Sequence, residues 1–259
     1  MSSAASTAHS LAEVIERELR ARGSSVRAAK DQAYLKSELV HYGVGVPDTR
    51  AVVRSALHTA ELDHEVLVEL AEALWNPAPI GIDAPVFDLR SAATMVITLA
   101  QDHLGAGDSD FLERLLRQAR TWALVDPLAG DVVGPLAEYD LEFDPVLERW
   151  SGDEDFWIRR SALLAHLKPL QEGRGDFERF TRFADAMLEE KEFFIRKAIG
   201  WVLRETARTR PDMVFEWMLP RAHRASGVTM REVVKHLSPE QRDALLAAKG
   251  TSRSRAGSR

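Results

Sequence analysis

An aromatic pair followed by a cationic pair occurs twice in this chain. The segment 156–160 (FWIRR) recurs as 193–197 (FFIRK), 37 residues later, and each copy leads into an apolar segment with helical spacing. Repetition at this period is typical of stacked helical repeats in which each unit presents a cationic edge to a common partner. The pattern favours a polyanionic partner, although an amphipathic helix whose charges are only solvated begins in the same way.

Trp122 and Asp126 are a further pair of residues that could take part in chemistry. Four residues separate them, so they share one face of a helix if that helix continues to Asp126. Pro127 leaves an alternative open, because Asp followed by Pro is also an ordinary N-cap and first-turn pair, in which case Asp126 only caps the next helix.

We expect these residues to lie on helices. Apolar residues recur at helical spacing almost throughout, and no run shows the alternation of a strand. Glycine and proline divide the chain into about a dozen short helices, whose pairing every 35 to 40 residues predicts an all-α superhelical stack of HEAT-like repeats with a concave groove. The segment 76–85 is too rich in proline and glycine to be helical, and we expect a surface loop there.

Two helix starts can be placed. Ser10, three residues before Glu13, predicts a capped helix from residue 11, and Ser238 followed by Pro239 predicts another. We therefore expect a disordered N-terminal segment over 1–10, a single repeat domain over 11–249, and a flexible basic tail over 250–259.

Composition excludes several classes of protein. The 259 residues contain no cysteine, which rules out thiol nucleophiles, disulfides and cysteine-ligated zinc. The histidines show no metal-ligand spacing, and no glycine-rich phosphate loop or serine elbow is present, so we predict no metal and no cofactor. The N-terminus lacks the features of a signal peptide, and no apolar run is long enough to span a membrane, which predicts a cytoplasmic protein without a membrane partner.

The net charge of −6 does not exclude a nucleic-acid partner. Residues 151–259 contain 21 Lys and Arg against 16 Asp and Glu, a net charge of +5, which leaves −11 for residues 1–150. A bound polyanion responds to charges within about one Debye length, roughly 8 Å at physiological salt, more than to the total charge.

Four segments, in this order, resemble the signature of the AlkD-like glycosylases of the DNA alkylation repair family, over about residues 12–248. The segments are Tyr34-Leu35-Lys36 with Tyr42-Gly43-Val44-x-x-Pro47-x-x-Arg50, then Thr121 to Asp126 (TWALVD), then Trp157 to Ala162 (WIRRSA), and finally Phe193 to Glu205 (FFIRKAIGWVLRE). The last is the most specific. The chain departs from the family pattern at Asp88-Leu89-Arg90, where Glu-x-Arg is more usual, and in the proline-rich loop before it.

The resemblance implies a HEAT-like superhelix that holds duplex DNA in its concave groove. We expect the protein to be a monomer. It implies an enzyme that cleaves the N-glycosidic bond of N3- or N7-alkylated purines without extruding the lesion. By position, Trp122, Asp126 and Trp201 are similar to the family's active-site residues, and Tyr34 and Arg160 to groups lining the DNA-facing cleft.

Other cations of the repeated segments are further candidates for phosphate contacts. The DNA-binding set that we predict is Tyr34, Arg159, Arg160, Arg196, Lys197 and Arg204. The alternative for these cations is pairing with Glu190, Glu192 or Glu205 as solvated helix charges.

The chemistry fits the implied reaction. An alkylated purine is already cationic and departs neutral, so no acid catalyst is needed, and positive charge develops on the deoxyribose. A carboxylate at Asp126 would stabilise that charge and orient a water, and the indoles of Trp122 and Trp201 would flank it. The competing hypotheses are a noncatalytic HEAT-like scaffold that binds DNA or protein, and a repeat protein that binds a basic peptide through its acidic half.

Overall fold

The computed structural model describes residues 3–58 and 60–256, with side chains described as far as residue 250. Within these ranges the secondary structure is helical, and one isolated parallel bridge joins Val40 to Val86. The all-α class and the predicted build from many short helices are confirmed. The chain forms two compact units, Met1–Leu128 and Ala129–Arg259.

Unit 1 contains seven α-helices in its described part. They are α1 (Ser3–Ala21), α2 (Ser25–Leu35), α3 (Val46–Leu57), α4 (His64–Trp75), α5 (Phe87–Leu99), α6 (Ser109–Ala119) and α7 (Trp122–Pro127). The core is formed where α1 packs against α3 and α4, and α5 against α3, α4 and α7. Trp75 is fully buried there, and its indole N–H donates to Gln118 Oε1 at 2.9 Å.

Helix α2 differs from the others because none of its residues is buried. The segment after it holds it in place: Gly43 adopts a φ of 79°, and a Cβ there would lie 2.3 Å from the Ser24 carbonyl oxygen. Asp88, at the start of α5, accepts from the backbone N–H groups of Tyr42 (2.7 Å) and Val44 (2.8 Å). The aspartate that departs from the family pattern therefore fixes this segment.

Unit 2 continues from α7 through a π-helical turn, Leu128–Val133. Its helices are α8 (Gly134–Tyr139), α9 (Asp144–Ser151), α10 (Phe156–Leu164), α11 (Leu167–Gln171), α12 (Phe177–Met187), α13 (Phe193–Thr206), α14 (Pro211–Met218), α15 (Gly227–Val233) and α16 (Pro239–Ala256). Helix α13 is central and packs against α10, α11, α12 and α15.

The two copies of the repeated segment each begin a helix of unit 2. An acidic N-cap precedes both: Asp155 accepts from the N–H of Trp157, and Glu192 from the N–H of Phe194. The rings of Trp157 and Phe194 pack together with centroids 4.8 Å apart. The aromatic half of the motif therefore joins successive repeats.

The structure differs from the predicted ends of the chain. Helix α1 begins at Ser3, Ala8 is buried, and the Ser10 hydroxyl donates to the Ser6 carbonyl, so Ser10 lies inside the helix and not at its cap. At the other end the Ser238 cap is confirmed, since its Oγ accepts from the Gln241 N–H at 3.2 Å. Helix α16 runs to Ala256, and the rest of the predicted tail lies outside the described residues.

The single domain over 11–249 stays a prediction. The expected loop over 76–85 is present, with one turn of 3₁₀ helix at Ala78–Ile80. The Val40 N–H donates to the Pro85 carbonyl oxygen, and the Val40 carbonyl oxygen accepts from the Phe87 N–H. These bonds on either side of Val86 join the end of this loop to the segment that follows α2.

Candidate functional site

Helix α7 carries Trp122 and Asp126. Thr121 caps it, because its hydroxyl accepts from the Ala123 N–H, and Leu124 and Val125 form its buried face. The helix continues through Asp126 and ends at Pro127, where the π-helical turn begins. The predicted shared face of Trp122 and Asp126 is therefore confirmed, and Asp126 is not an N-cap.

The side chains of Trp122 and Asp126 are both half-buried. Helix α7 packs against α5 and α6, so its orientation within unit 1 is set by the core. Proline lacks the N–H that would continue the α-helical ladder, and π-turns are frequent at functional sites. The sequence thus ends α7 directly after the carboxylate.

Tyr34 lies against Trp122. Their ring centroids are 6.1 Å apart and the planes meet at 89°, an edge-to-face contact. Tyr34 is at the end of α2 and is 72% exposed. Three of the predicted residues, Tyr34, Trp122 and Asp126, are therefore gathered on one side of unit 1 by α2 and α7.

Trp201 lies in unit 2, on α13, and is half-buried. The helical repeat places Lys197 and Arg204 on the same face as Trp201. Gly200 faces α15, since a Cβ there would lie 2.8 Å from Glu232 Cβ and 3.1 Å from the Thr229 carbonyl oxygen. The absence of a side chain at Gly200, next to Trp201, therefore allows α13 and α15 to pack closely.

Glu232 on α15 organises the cations around Trp201. Its carboxylate accepts from Lys197 and Arg204, and from Lys235 at 2.8 Å. Burial opposes ionisation of this side chain, which is 7% exposed, but the hydrogen bonds from Lys197 and Lys235 outweigh it and lower the pKa of Glu232 to about 2.

A second carboxylate, Glu205, extends the cluster. It accepts from Arg204 at 2.8 Å and from Arg208 at 2.6 Å, and although burial raises its pKa, these arginines lower it overall. We call the six residues Lys197, Arg204, Glu205, Arg208, Glu232 and Lys235 the α13 charge cluster. It holds four cations and two carboxylates, so it is net cationic.

The other predicted cations also have intramolecular partners. Arg159 makes a two-pronged hydrogen bond to Glu190, at 3.1 and 2.9 Å. Arg196 donates to the Glu190 carbonyl oxygen at 2.6 Å. Arg160 is 2% exposed and donates to the Phe194 carbonyl oxygen at 2.6 Å. Phosphate contacts by these residues stay a prediction, and each has a structural task that the sequence did not specify.

In unit 1, Arg90 is bound in the same way as Arg160 is in unit 2. Its guanidinium donates to the carbonyl oxygens of Trp75 (3.2 Å) and Gln118 (2.7 Å), and it lies 4.8 Å from the Trp75 ring centroid. Burial, and secondarily the charge of Arg120, lowers the pKa of Arg90 to about 10. The sequence Arg-Ser-Ala occurs at residues 90–92 and again at 160–162. In both places the buried arginine donates to backbone carbonyl oxygens of another segment.

The structure also reveals a third copy of the repeated segment. Residues 228–232 (VTMRE) begin α15, and Arg231 lies 35 residues after Arg196. This copy is hard to recognise in the sequence because the aromatic pair is absent and Glu232 replaces the second cation. The spacing alone was the available signal.

None of the helices in the described part of the chain is both long and apolar enough to cross a membrane.

Comparisons with known proteins agree with the resemblance. The model of a family described as DNA alkylation repair enzyme matches residues 15–237. Among solved structures, the chain is similar to a predicted DNA alkylation repair enzyme from Enterococcus faecalis, with 26% identity and a TM-score of 0.72, over 84% of this chain and 98% of that one. No curated protein matches the chain.

Proposed function

This chain belongs to the DNA alkylation repair enzyme family, and on that premise we propose that it is a monofunctional DNA glycosylase. Its substrates would be cationic N3- or N7-alkylated purines in duplex DNA. The observation that carries the proposal is the placement of Trp122 and Asp126 on one face of α7, half-buried, with the ring of Tyr34 against the indole.

The reaction breaks the bond between the anomeric carbon and the purine nitrogen. The electron pair leaves with the base, which departs neutral, and the deoxyribose becomes an oxocarbenium-like cation. The Asp126 carboxylate would stabilise this cation electrostatically, in a half-buried position where charge interactions are stronger than in water. Water then adds to the anomeric carbon and its proton passes to Asp126 or to solvent.

The indole of Trp122 would add a cation–π interaction with the developing charge, of about 0.5 to 2 kcal/mol. Tyr34 holds that indole by its edge-to-face contact, so its role would be to position Trp122. Trp201 enters the proposal through the family resemblance, as does the release of the base without extrusion.

The test is release of base from a duplex that contains N7-methylguanine. We expect the wild-type protein to release the base and Asp126→Asn to slow the single-turnover rate by about 100-fold or more, because the carboxylate charge is lost. Asp110→Asn is the matched control, since Asp110 is an exposed carboxylate of the same unit, and its rate should equal the wild-type rate. A wild-type protein that binds duplex but releases no base would instead be a noncatalytic scaffold.

A further inference from the structure

Two cationic residues of unit 1 adopt an unusual backbone conformation. Among the described residues, the non-glycine residues with a positive φ are Lys36 (50°) and Arg120 (48°). Lys36 ends α2 and Arg120 ends α6, at the position where glycine or asparagine is the usual choice. The left-handed conformation costs an ordinary residue about 1 kcal/mol or more, and such residues cluster at functional sites.

Both residues flank the aromatic pair. Lys36 follows Tyr34 by two residues, and Arg120 precedes Trp122 by two. Because the rings of Tyr34 and Trp122 touch, the two helix ends are brought together from segments that are far apart in sequence. The two left-handed residues therefore place one cation just after Tyr34 and another just before Trp122.

Lys36 and Arg120 line one cleft of about 670 Å³. Arg90 and Arg117 also line it, and among its described lining residues Glu38 is the one carboxylate. Arg90 is held by backbone carbonyls and Arg117 pairs with Glu113. The side chains of Lys36 and Arg120 are exposed and make no hydrogen bond or ion pair with any residue that the structure describes.

Of the four cations that line this cleft, Arg117 is paired with Glu113 and Arg90 is bound to backbone carbonyl oxygens. Lys36 and Arg120 are the two that keep their charge without an ion-pair partner among the described residues. This contrasts with the predicted phosphate ligands of unit 2, each of which already has a partner. Unit 1 as a whole contains 12 Lys and Arg against 18 Asp and Glu, a net charge of −6, so a cationic cleft in it is not a consequence of general composition.

We propose that Lys36 and Arg120 form a phosphate clamp, which binds the DNA backbone beside the nucleotide that meets Tyr34 and Trp122. This inference rests on the proposed function, since it takes duplex DNA as the ligand. Phosphate contacts position a duplex without reading its sequence, and here they fix the sugar relative to the α7 carboxylate. Lys36 and Arg120 are thus positioning residues.

The test measures the salt dependence of binding to an undamaged duplex. Each lost phosphate contact reduces the slope of log K against log salt by about 0.9. We expect that reduction for Lys36→Asn and for Arg120→Asn, with about twofold that change in the double variant. Asparagine accepts the left-handed conformation, so the melting temperature should not fall. Arg120→Lys should keep the wild-type slope because it keeps the charge.

Arg54→Asn is the control, because Arg54 is an exposed cation of the same unit that does not line the cleft, and its slope should equal that of the wild type. Slopes unchanged in both asparagine variants would overturn the clamp, even if the protein releases N7-methylguanine. Reduced slopes without base release would support the clamp and refute the glycosylase. A wild-type protein with no duplex affinity at low salt would refute both.

Discussion

The ring of Tyr34 meets the indole of Trp122 edge to face, at a centroid distance of 6.1 Å. Tyr34 is otherwise largely exposed on a helix that buries none of its residues. A large exposed aromatic held in this way has little effect on the core, so its contribution lies in the orientation of Trp122.

Tyr34→Leu should therefore reduce base release while leaving stability almost unchanged. Loss of the edge-to-face contact, worth about 0.5 to 1.5 kcal/mol, corresponds to a rate loss of roughly 2- to 10-fold. Tyr34→Phe keeps the ring and should match the wild type. Single-turnover rates with N7-methylguanine duplex, together with thermal unfolding, check this, and equal rates for the two variants would contradict it.

Arg160→Met should destabilise unit 2. The substitution leaves the Phe194 carbonyl oxygen without its charged donor, at a cost of about 1.5 to 3 kcal/mol. Urea unfolding measures the change. Arg231→Met, at an exposed cation of the third copy, is the control and should change stability by less than about 0.5 kcal/mol. A stable Arg160→Met protein with weaker DNA binding would assign Arg160 to phosphate contact instead.

Glu232→Gln should lower stability and raise DNA affinity. The folded-state pKa of about 2 lies below the ordinary value of 4.5, so this carboxylate stabilises the fold above pH 4.5 and that stabilisation is lost as pH falls toward 2. The variant should lack this part of the acid dependence, which amounts to at most about 3 kcal/mol. Freed of Glu232, Lys197 and Arg204 would bind phosphate more tightly if they face DNA.

The measurements are urea unfolding between pH 7 and pH 3 and duplex binding at fixed salt. Glu216→Gln is a suitable control, because Glu216 is an exposed carboxylate of α14. Reduced stability with unchanged affinity would show that the α13 charge cluster is structural and does not contact DNA.

His166 should make the free energy of unfolding depend on pH in a higher range than Glu232 does. It is buried, its Nδ1 donates to the Ala162 carbonyl oxygen at 2.9 Å, and its Nε2 accepts from Arg179 at 3.3 Å. Burial, and then the charge of Arg179, lowers its pKa from 6.5 to about 4. The neutral ring therefore stabilises the fold above pH 6.5, and this contribution is lost as pH falls toward 4.

Between pH 4 and pH 6.5, we expect His166 to change the free energy of unfolding by about 1.4 kcal/mol per pH unit. Unfolding free energies of the wild type and His166→Asn, compared at pH 7, 5.5 and 4.5, isolate it from other groups. A constant difference between the two proteins across this range would refute the assignment.

Gly200→Ala should destabilise the contact between α13 and α15. Alanine is the better helix former by about 1 kcal/mol, but its Cβ would lie 2.8 Å from Glu232 Cβ. We expect a net loss of about 1 to 3 kcal/mol in unfolding free energy. Gly227→Ala is the matched control, since a Cβ at Gly227 meets nothing within 4 Å. Equal stability of the two variants would contradict the packing argument.

Features that depend on neighbours along the chain can be predicted from the amino-acid sequence. Helical periodicity, the Ser238 cap, the shared face of Trp122 and Asp126, and the repeated aromatic and cationic segments all follow from interactions over a few residues, and the order of four such segments identified the family.

The role of each cation, in contrast, depends on how the helices pack. Whether Arg160 is solvated or buried against Phe194 depends on the stacking of two helices whose residues are 34 positions apart, and the same holds for Lys197 with Glu232. The charge pattern is compatible with either outcome, because a cation at a helix start has the same local surroundings in both. The left-handed conformations at the ends of α2 and α6 belong to Lys36 and Arg120, and because neither is glycine the sequence does not indicate them. They too depend on how these helices end beside α7.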